Sequence, residues 1–501
     1  MDNLYSEIVN LTDKINENEV VISESLCDLD KRIKKIDTSY NNPTLTAITF
    51  NSIAWVTDIP ATGGTATKDN CTFEVYAKYD NGISVDISSI VTVTGELVVP
   101  SSKAEQRHEA GKLTLTASYS GFTATGNVTA YQEAFDPSAE PLTFKISSGG
   151  TINWTASNAA VTKTIDYKLN GGEWVSITSN TGSSAPTITV NSGDKLQLRG
   201  NNAQYATGFP VYNSFGGSTA SFEVEGNIMS LIYGDDFKNK LTISSTYAFT
   251  GLFRNCTKLV SAKNLVLPAT TLANGCYLSM FRDCTKLTTV PELPATTLAQ
   301  NCYSTMFKGC TSLTTVPSNL LPATTLAENC YSDMFWNCTS LTTVPVLPAT
   351  TLANYCYSGM FHDCTSLTTV PSNLLPVTTL ADYCYSSMFM RCTSLTTAPE
   401  LPATTLASTC YQKMFEGCTS LETAPELPAT TLVDSCYSSM FNGCTSLNYI
   451  KCLATDISAG FCTNTWVNGV ASTGTFVKAS SMTSWSTSPY GIPSGWTVQD
   501  A

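Results

Sequence analysis

Cysteine, histidine and tryptophan are the residue types of this chain with the most chemistry to offer. Seventeen of its nineteen cysteines lie between Cys256 and Cys462, and a thiol can act as nucleophile, metal ligand, disulfide partner or small buried hydrophobe. Metal binding has little support, since no Cys-x-x-Cys occurs and the only histidines are His108 and His362. The odd cysteine total leaves at least one thiol unpaired in any disulfide scheme. Most cysteines recur at two fixed positions of an internal repeat, which favours reduced, buried columns over cross-links. Catalysis is not expected: there is no Gly-x-Ser-x-Gly, no His-Glu-x-x-His and no phosphate loop. His362 has no equivalent histidine in neighbouring repeats, so the protein is read as a non-enzyme without metal or cofactor. A glycan depolymerase on an undetected β-fold is the exception left open.

The repeat positions these side chains. A Met/Leu-Phe pair falls at Leu252-Phe253, Met280-Phe281, Met306-Phe307, Met334-Phe335, Met360-Phe361, Met388-Phe389, Met414-Phe415 and Met440-Phe441, in steps of 28 or 26 residues. Such a period signals a solenoid, because one unit cannot bury its own apolar face and must stack on its neighbours. Between Gln300 and Cys310, framework pairs alternate with pairs that change from copy to copy. Repetition every four positions is read as one side of a short helix, with Cys, Tyr, Met, Phe and Cys facing inward. Leu313-Thr314-Thr315-Val316-Pro317 is β-branched and ended by proline, as a solenoid strand would be. The stretch Leu321 to Leu326 turns the corner, so each coil is expected to hold a strand, a corner and a short helix.

The phrase Phe-x-x-Cys-Thr-x-Leu, at Phe307 to Leu313 and seven equivalents, resembles the BspA-type leucine-rich repeats of bacterial and phage surface proteins. The resemblance covers roughly residues 246–501 and implies a solenoid serving adhesion, without naming a ligand.

A framework held nearly letter for letter around changing large and polar residues suits a recognition surface. The candidate residues are Trp336, Tyr355, His362, Tyr383, Met390 and Arg391, all in the middle coils; simple drift of surface positions is the competing reading. The strand-bearing face is nearly uniform in Thr, and could bind a repetitive glycan or serve only β-propensity.

The rest of the chain is organised around these coils. Residues 1–40 carry Leu4, Ile8, Leu11 and Ile15, then Ile22, Leu26, Leu29, Ile33 and Ile36, spaced as a coiled-coil seam with one phase shift. A homo-oligomer, with isoleucines leaning toward a trimer, is set against one amphipathic helix packed on its own domain. Residues 44–134 alternate in short strands, as in Leu113-Thr114-Leu115-Thr116-Ala117, and read as a β-sandwich. The phrases Tyr79 to Ile87 and Ala117 to Ala124 look like a bacterial immunoglobulin-like (Big) domain, which implies a spacer. Residues 142–232 are read as a second β-sandwich, where Trp154 and Trp174 either fill the core or form a carbohydrate platform. The solenoid is placed at 233–450 and a C-terminal cap at 451–501, with Trp466, Trp485 and Trp496 closing the last coil or, alternatively, binding.

The fold class expected is thus multidomain and β-rich: an N-terminal coiled coil, two β-sandwich (Ig-like) domains and a C-terminal leucine-rich-repeat solenoid with caps. A net charge of -13 argues against a nucleic-acid partner. No apolar run approaches a membrane span, and the acidic start Met1 to Glu7 does not read as a signal peptide. The order of parts points to a bacteriophage virion fibre, of head or tail, attached to other virion proteins by its N-terminus and meeting a bacterial surface glycan or protein. A bacterial cell-surface adhesin and a receptor-less virion decoration are the alternatives.

Overall fold

A computed structural model describes residues 43–60, 63–100, 107–133, 136–483 and 485–501. The expected coiled coil over 1–40, with its seam from Leu4 to Ile36, lies outside the described residues. The chain divides into two compact units, Met1–Asp136 and Pro137–Ala501.

The described part of the first unit is built from β1 (Leu45–Trp55), β2 (Gly64–Thr67), β3 (Cys71–Tyr79), β4 (Ser84–Asp86), β5 (Thr92–Thr94), β6 (Glu96–Val99), β7 (His108–Tyr119) and β8 (Phe122–Gln132). They form two antiparallel three-stranded sheets, β1-β3-β4 and β5-β7-β8, and the pair β2-β6. Alternation puts one face of each strand inside: Val75 and Ala77 of β3 meet Leu113, Leu115 and Ala117 of β7 in a single apolar core.

The second unit begins with β9 (Thr143–Ser148), β10 (Gly150–Asn153), β11 (Thr155–Ala156), β12 (Thr164–Leu169), β13 (Val175–Thr178), β14 (Thr187–Val190), β15 (Lys195–Arg199), β16 (Ala206–Gly208), β17 (Val211–Ser214) and β18 (Ser221–Asn227). A four-residue helix, Ser230–Tyr233, follows, then β19 (Leu259–Val266). Residues 142–232, expected as a second β-sandwich, share both a sheet and a core with the coils. The sheet runs β13-β12-β15-β9-β18-β19, and its last pairing, β18 with β19, is parallel. Phe144 and Phe215 pack on Phe253 of the first coil at 5.9 and 5.8 Å. The physical reason is that an end coil exposes apolar surface, and these strands cover it. Trp154 is fully buried in that core, 4.7 Å from Phe215. Trp154 is therefore not an open platform; Trp174 is half-buried against Lys168 and Arg199, 4.7 and 4.2 Å from its ring centre.

The coils differ locally from the expected helix and from the expected strand, since among the described residues no strand forms at 313–317 or anywhere among the coils between β19 and Tyr449. Among the described residues the repeats contain no helix at the Cys-Tyr to Phe-x-x-Cys stretch; the chain makes consecutive turns there. Asn301, Thr305 and Gly309 have φ of 57°, 55° and 76°, and every coil places left-handed residues at the same spacing of four. Between them N–H groups alternate in role. Met306 N–H donates within the coil to Tyr303 O (3.1 Å), whereas Phe307 N–H donates to Met334 O of the next coil (3.0 Å). A left-handed non-glycine residue costs roughly 1–2 kcal/mol. Inter-coil hydrogen bonds, each worth about 0.5–1.5 kcal/mol net, offset that cost. The repeat of four, rather than 3.6, keeps every framework pair facing inward without drift.

Inside, two aromatic columns run along the stack. One goes from Tyr205 and Phe249 through Tyr277, Tyr303, Tyr331, Tyr357, Tyr385 and Tyr411 to Tyr437, with near-parallel rings at 5.6–6.3 Å. The other runs from Phe215 and Phe253 to Phe441 at 5.3–5.8 Å. Both end on Trp466, which is fully buried. The closing strands β20 (Tyr449–Cys452), β21 (Thr475–Lys478) and β22 (Thr497–Asp500) pair in parallel. Trp466 and Trp496 donate their indole N–H to Gly491 O (2.9 Å) and Ala471 O (2.7 Å), as parts of the end cap.

Most of the described cysteines form two further columns; all the described ones are free and, from Cys256 to Cys462, all are buried. The column from Cys284 to Cys444 donates each S–H to a phenylalanine carbonyl of the preceding coil, as Cys338 does to Phe307 O at 3.2 Å. Burial pushes the Cys338 thiol up to about 12, which disfavours the nucleophilic thiolate at neutral pH. The seventeen thiols of these coils are expected to resist alkylation in the native protein and to react once it is unfolded without reductant. Peptide mass spectrometry after iodoacetamide treatment checks this; a cross-linked peptide pair among them would refute it.

Candidate recognition surface

The outward residues of each turn stretch also line up along the stack. Arg254, Arg282, Lys308, Trp336, His362, Met390 and Glu416 occupy one position in successive coils, each just before the third left-handed residue of its coil. Chain segments 26 or 28 residues apart therefore become neighbours, and the candidates from the middle coils come together in this way.

Trp336 and His362 stack with ring centres 4.6 Å apart and planes 9° off parallel. Lys308 Nζ sits 3.0 Å from the centre of the Trp336 ring, on the face opposite His362, since a parallel ring at 4.6 Å leaves no room for both. Trp336 Nε1 donates to Asp363 Oδ2 at 3.0 Å, and His362 Nε2 lies 3.4 Å from the same oxygen. Both faces of the indole are thus occupied, and the column offers ring edges and polar atoms. Met390 is buried, at 9% exposure, while Arg391 is exposed. Tyr355 and Tyr383 form a second pair at 4.3 Å and 13°, both in the left-handed region at φ 58°. The structure therefore brings together Trp336 with His362 and Tyr355 with Tyr383; Met390 and Arg391 are simply adjacent in the chain, one coil on from His362. It adds Lys308 and Asp363, which carry the orientation of Trp336. Reading each outward position against the one 28 residues away would have found Lys308; Asp363, 27 residues from Trp336, follows the equivalent position of the next coil.

Burial holds the His362 imidazole below its ordinary value; Asp363 opposes this, while Arg391, Lys308 and Lys413 act with burial. Burial likewise lowers Lys308, and it raises the Asp333 carboxyl against the pull of Lys308 and Arg282. A histidine depressed in the folded state contributes stability that is complete above its unfolded pKa of about 6.5 and is lost as pH falls through the folded value. Acidification from about pH 7.5 to 5.5 is therefore expected to lower the melting temperature more in the wild type than in His362→Gln. Thermal denaturation followed by circular dichroism tests this, and identical pH dependence would sink it.

The opposite face carries the threonines. Thr288, Thr342 and Thr396 hydroxyls donate to the carbonyls of Val260, Thr314 and Thr368 one coil back, at 3.0, 3.0 and 3.1 Å. Part of the uniform Thr ladder thus cross-ties coils. Among the described residues no group of three or more His, Cys, Asp or Glu side chains is placed to hold a metal, and no helix is long and apolar enough to cross a membrane.

Residues 237–388 and 382–480 match the family described as BspA type Leucine rich repeat region, in six copies. No curated protein matches the chain.

Proposed function

We propose, from the premise that residues 237–480 are BspA-type leucine-rich repeats, that this protein is a surface adhesin whose outward column meets a bacterial glycan or protein. More finely, we read it as a bacteriophage virion fibre, of head or tail, located on the virion surface and attached to other virion proteins by its N-terminus. The observation that supports adhesion most directly is the contrast between the uniform interior columns and the outward positions that change from coil to coil, with Trp336 stacked on His362 and Tyr355 on Tyr383. Rigid aromatic and charged side chains on a pre-organised scaffold bind at small entropic cost. The first unit, in this reading, is a bacterial immunoglobulin-like spacer, and residues 1–40 assemble a trimer whose avidity multiplies weak contacts.

The test is binding of the labelled intact protein to bacterial cells, alongside the Trp336→Ala/Tyr383→Ala double variant and a chain beginning at Thr44. Loss of about tenfold in the double variant is expected, as for central anchors of an interface. Light scattering of the chain from Thr44 is expected to give a monomer where the intact protein gives a trimer. Unchanged cell binding by the double variant would remove the recognition column. A monomer in both forms would remove the fibre assembly and favour a bacterial cell-surface adhesin.

A further inference from the structure

The outward column does not stop at the middle coils. At its cap end stands Arg254, whose guanidinium is held from several sides. Its Nη1 donates to Tyr212 Oη at 2.8 Å, and its central carbon lies 5.0 Å from the Phe209 ring centre and 5.5 Å from that of Tyr212. Phe209 and Tyr212 are themselves nearly parallel, 6.1 Å apart. Gly251 makes room for this wall: with φ of 67°, it would place a Cβ 2.8 Å from the Tyr212 ring.

The charges around Arg254 are unbalanced. Asp283 Oδ2 is 4.0 Å from Arg254 Nε but 3.3 Å from Arg282 Nε, so one carboxylate serves two guanidinium groups. Arg254 Nε is buried and has no hydrogen-bond partner. That nitrogen is out of a ligand's reach, but Asp283 is shared with Arg282, so Arg254 keeps positive charge that an anion at the accessible part of its guanidinium would balance. Arg282 also approaches Phe209, at 5.8 Å, which makes the site locally cationic in a chain of net charge -13.

A surface cleft of ≈ 380 Å³ opens beside Arg254, lined by Thr155, Ser157, Tyr212, Gly217 and Asn255 among others. Ser157 Oγ accepts from Tyr212 N–H at 2.8 Å, which leaves its hydroxyl hydrogen to donate. Tyr212 is the aromatic residue of the lining. Cation, aromatic ring and hydroxyl groups at one cleft match a ligand with a carboxylate, an apolar ring face and ring hydroxyls.

We propose that this cleft binds an acidic sugar residue, its carboxylate against the part of the Arg254 guanidinium that lines the cleft and its ring against Tyr212. The proposal rests on the adhesion reading only for the biological source of that sugar, an acidic surface polysaccharide. The cleft itself is distinct from the Trp336-His362 and Tyr355-Tyr383 pairs.

The experiment is saturation-transfer NMR and calorimetric titration of the intact chain with methyl glucuronide, methyl glucoside and inorganic phosphate. Methyl glucuronide is expected to bind at least about tenfold more tightly than the neutral glucoside, the difference expected of a charge-assisted hydrogen bond. Arg254→Gln is expected to weaken it about tenfold and Ser157→Ala several-fold, and Trp336→Ala to leave it unchanged. Ser157 is exposed and lines the cleft, so its variant reports on binding even if Arg254→Gln disturbs folding. Equal binding of glucoside and glucuronide overturns the proposal. So does phosphate competing as well as glucuronide, or insensitivity to Ser157→Ala. Glucuronide binding without cell adhesion would leave this site standing and remove the adhesion reading; adhesion that persists without glucuronide binding would do the reverse.

Discussion

A chain beginning at residue 233 is expected to aggregate, while one beginning at residue 137 stays soluble and folded. The reason lies in where the aromatic columns start. Phe249 and Phe253 of the first coil are fully buried, and what buries them comes from residues 137–232: Tyr205 stacks 6.3 Å from Phe249, and Phe144 and Phe215 lie against Phe253. Removing that segment exposes two rings and frees the edge of β19, which β18 otherwise covers. An unpaired, flat edge beside exposed aromatic surface is a template for association. The chain from residue 137 keeps the whole core that runs from Leu142 to Trp496. Soluble yield and light scattering of the two chains decide the matter. A monomeric, cooperatively melting chain from 233 would show that the preceding strands are dispensable and that the coils cap themselves.

Phe335→Ala is expected to cost about 3–5 kcal/mol, the usual range for deleting a fully buried phenylalanine. Its ring has no exposure and lies 5.7 Å from both Phe307 and Phe361. The cavity would sit between neighbouring coils, and the stability of a stacked repeat depends on such nearest-neighbour coupling. The central break is therefore expected to lower the urea midpoint and to broaden or split the transition as the two halves of the stack uncouple. Trp336→Ala is the comparison, one residue along the chain. That side chain is half-buried and contributes a stacking contact, a cation–π contact and one hydrogen bond, each about 0.5–1.5 kcal/mol, so its effect is expected to be smaller and to leave the transition unsplit. Similar midpoints for the two variants would mean that the Phe column does not couple the coils.

The inward set was legible because burial repeats with the sequence. Cys302, Tyr303, Met306, Phe307 and Cys310 return in copy after copy, and all are at most 1% exposed. The helix expected over the same residues was not legible. Over eight residues, pairs repeating every four positions satisfy a helix and a chain of turns almost equally well. The distinguishing signal was the recurrence of Asn, Asp and Gly, as at Asn329, Asp333 and Asn337, where φ is 55°, 54° and 59°. These residue types tolerate the left-handed region. Thr305, Tyr355 and Tyr383 at the same positions concealed that signal, because tertiary hydrogen bonds hold them where local preference would not.

Sequence by itself determined the repeat, the identity of its buried residues, the reduced state expected of its cysteine columns and the coils that carry the variable aromatic residues. These follow from composition and spacing along the chain, which need no knowledge of neighbours. Tertiary structure alone decided that residues 142–232 belong to the same core as the coils, that Trp336 has a cation on one face and a histidine on the other, and that Arg254 comes to lie between Phe209, Tyr212 and Asp283. Each of those contacts joins residues at least 26 positions apart. Their geometry depends on how one coil registers against the next, a non-local quantity that the spacing within a single repeat does not contain.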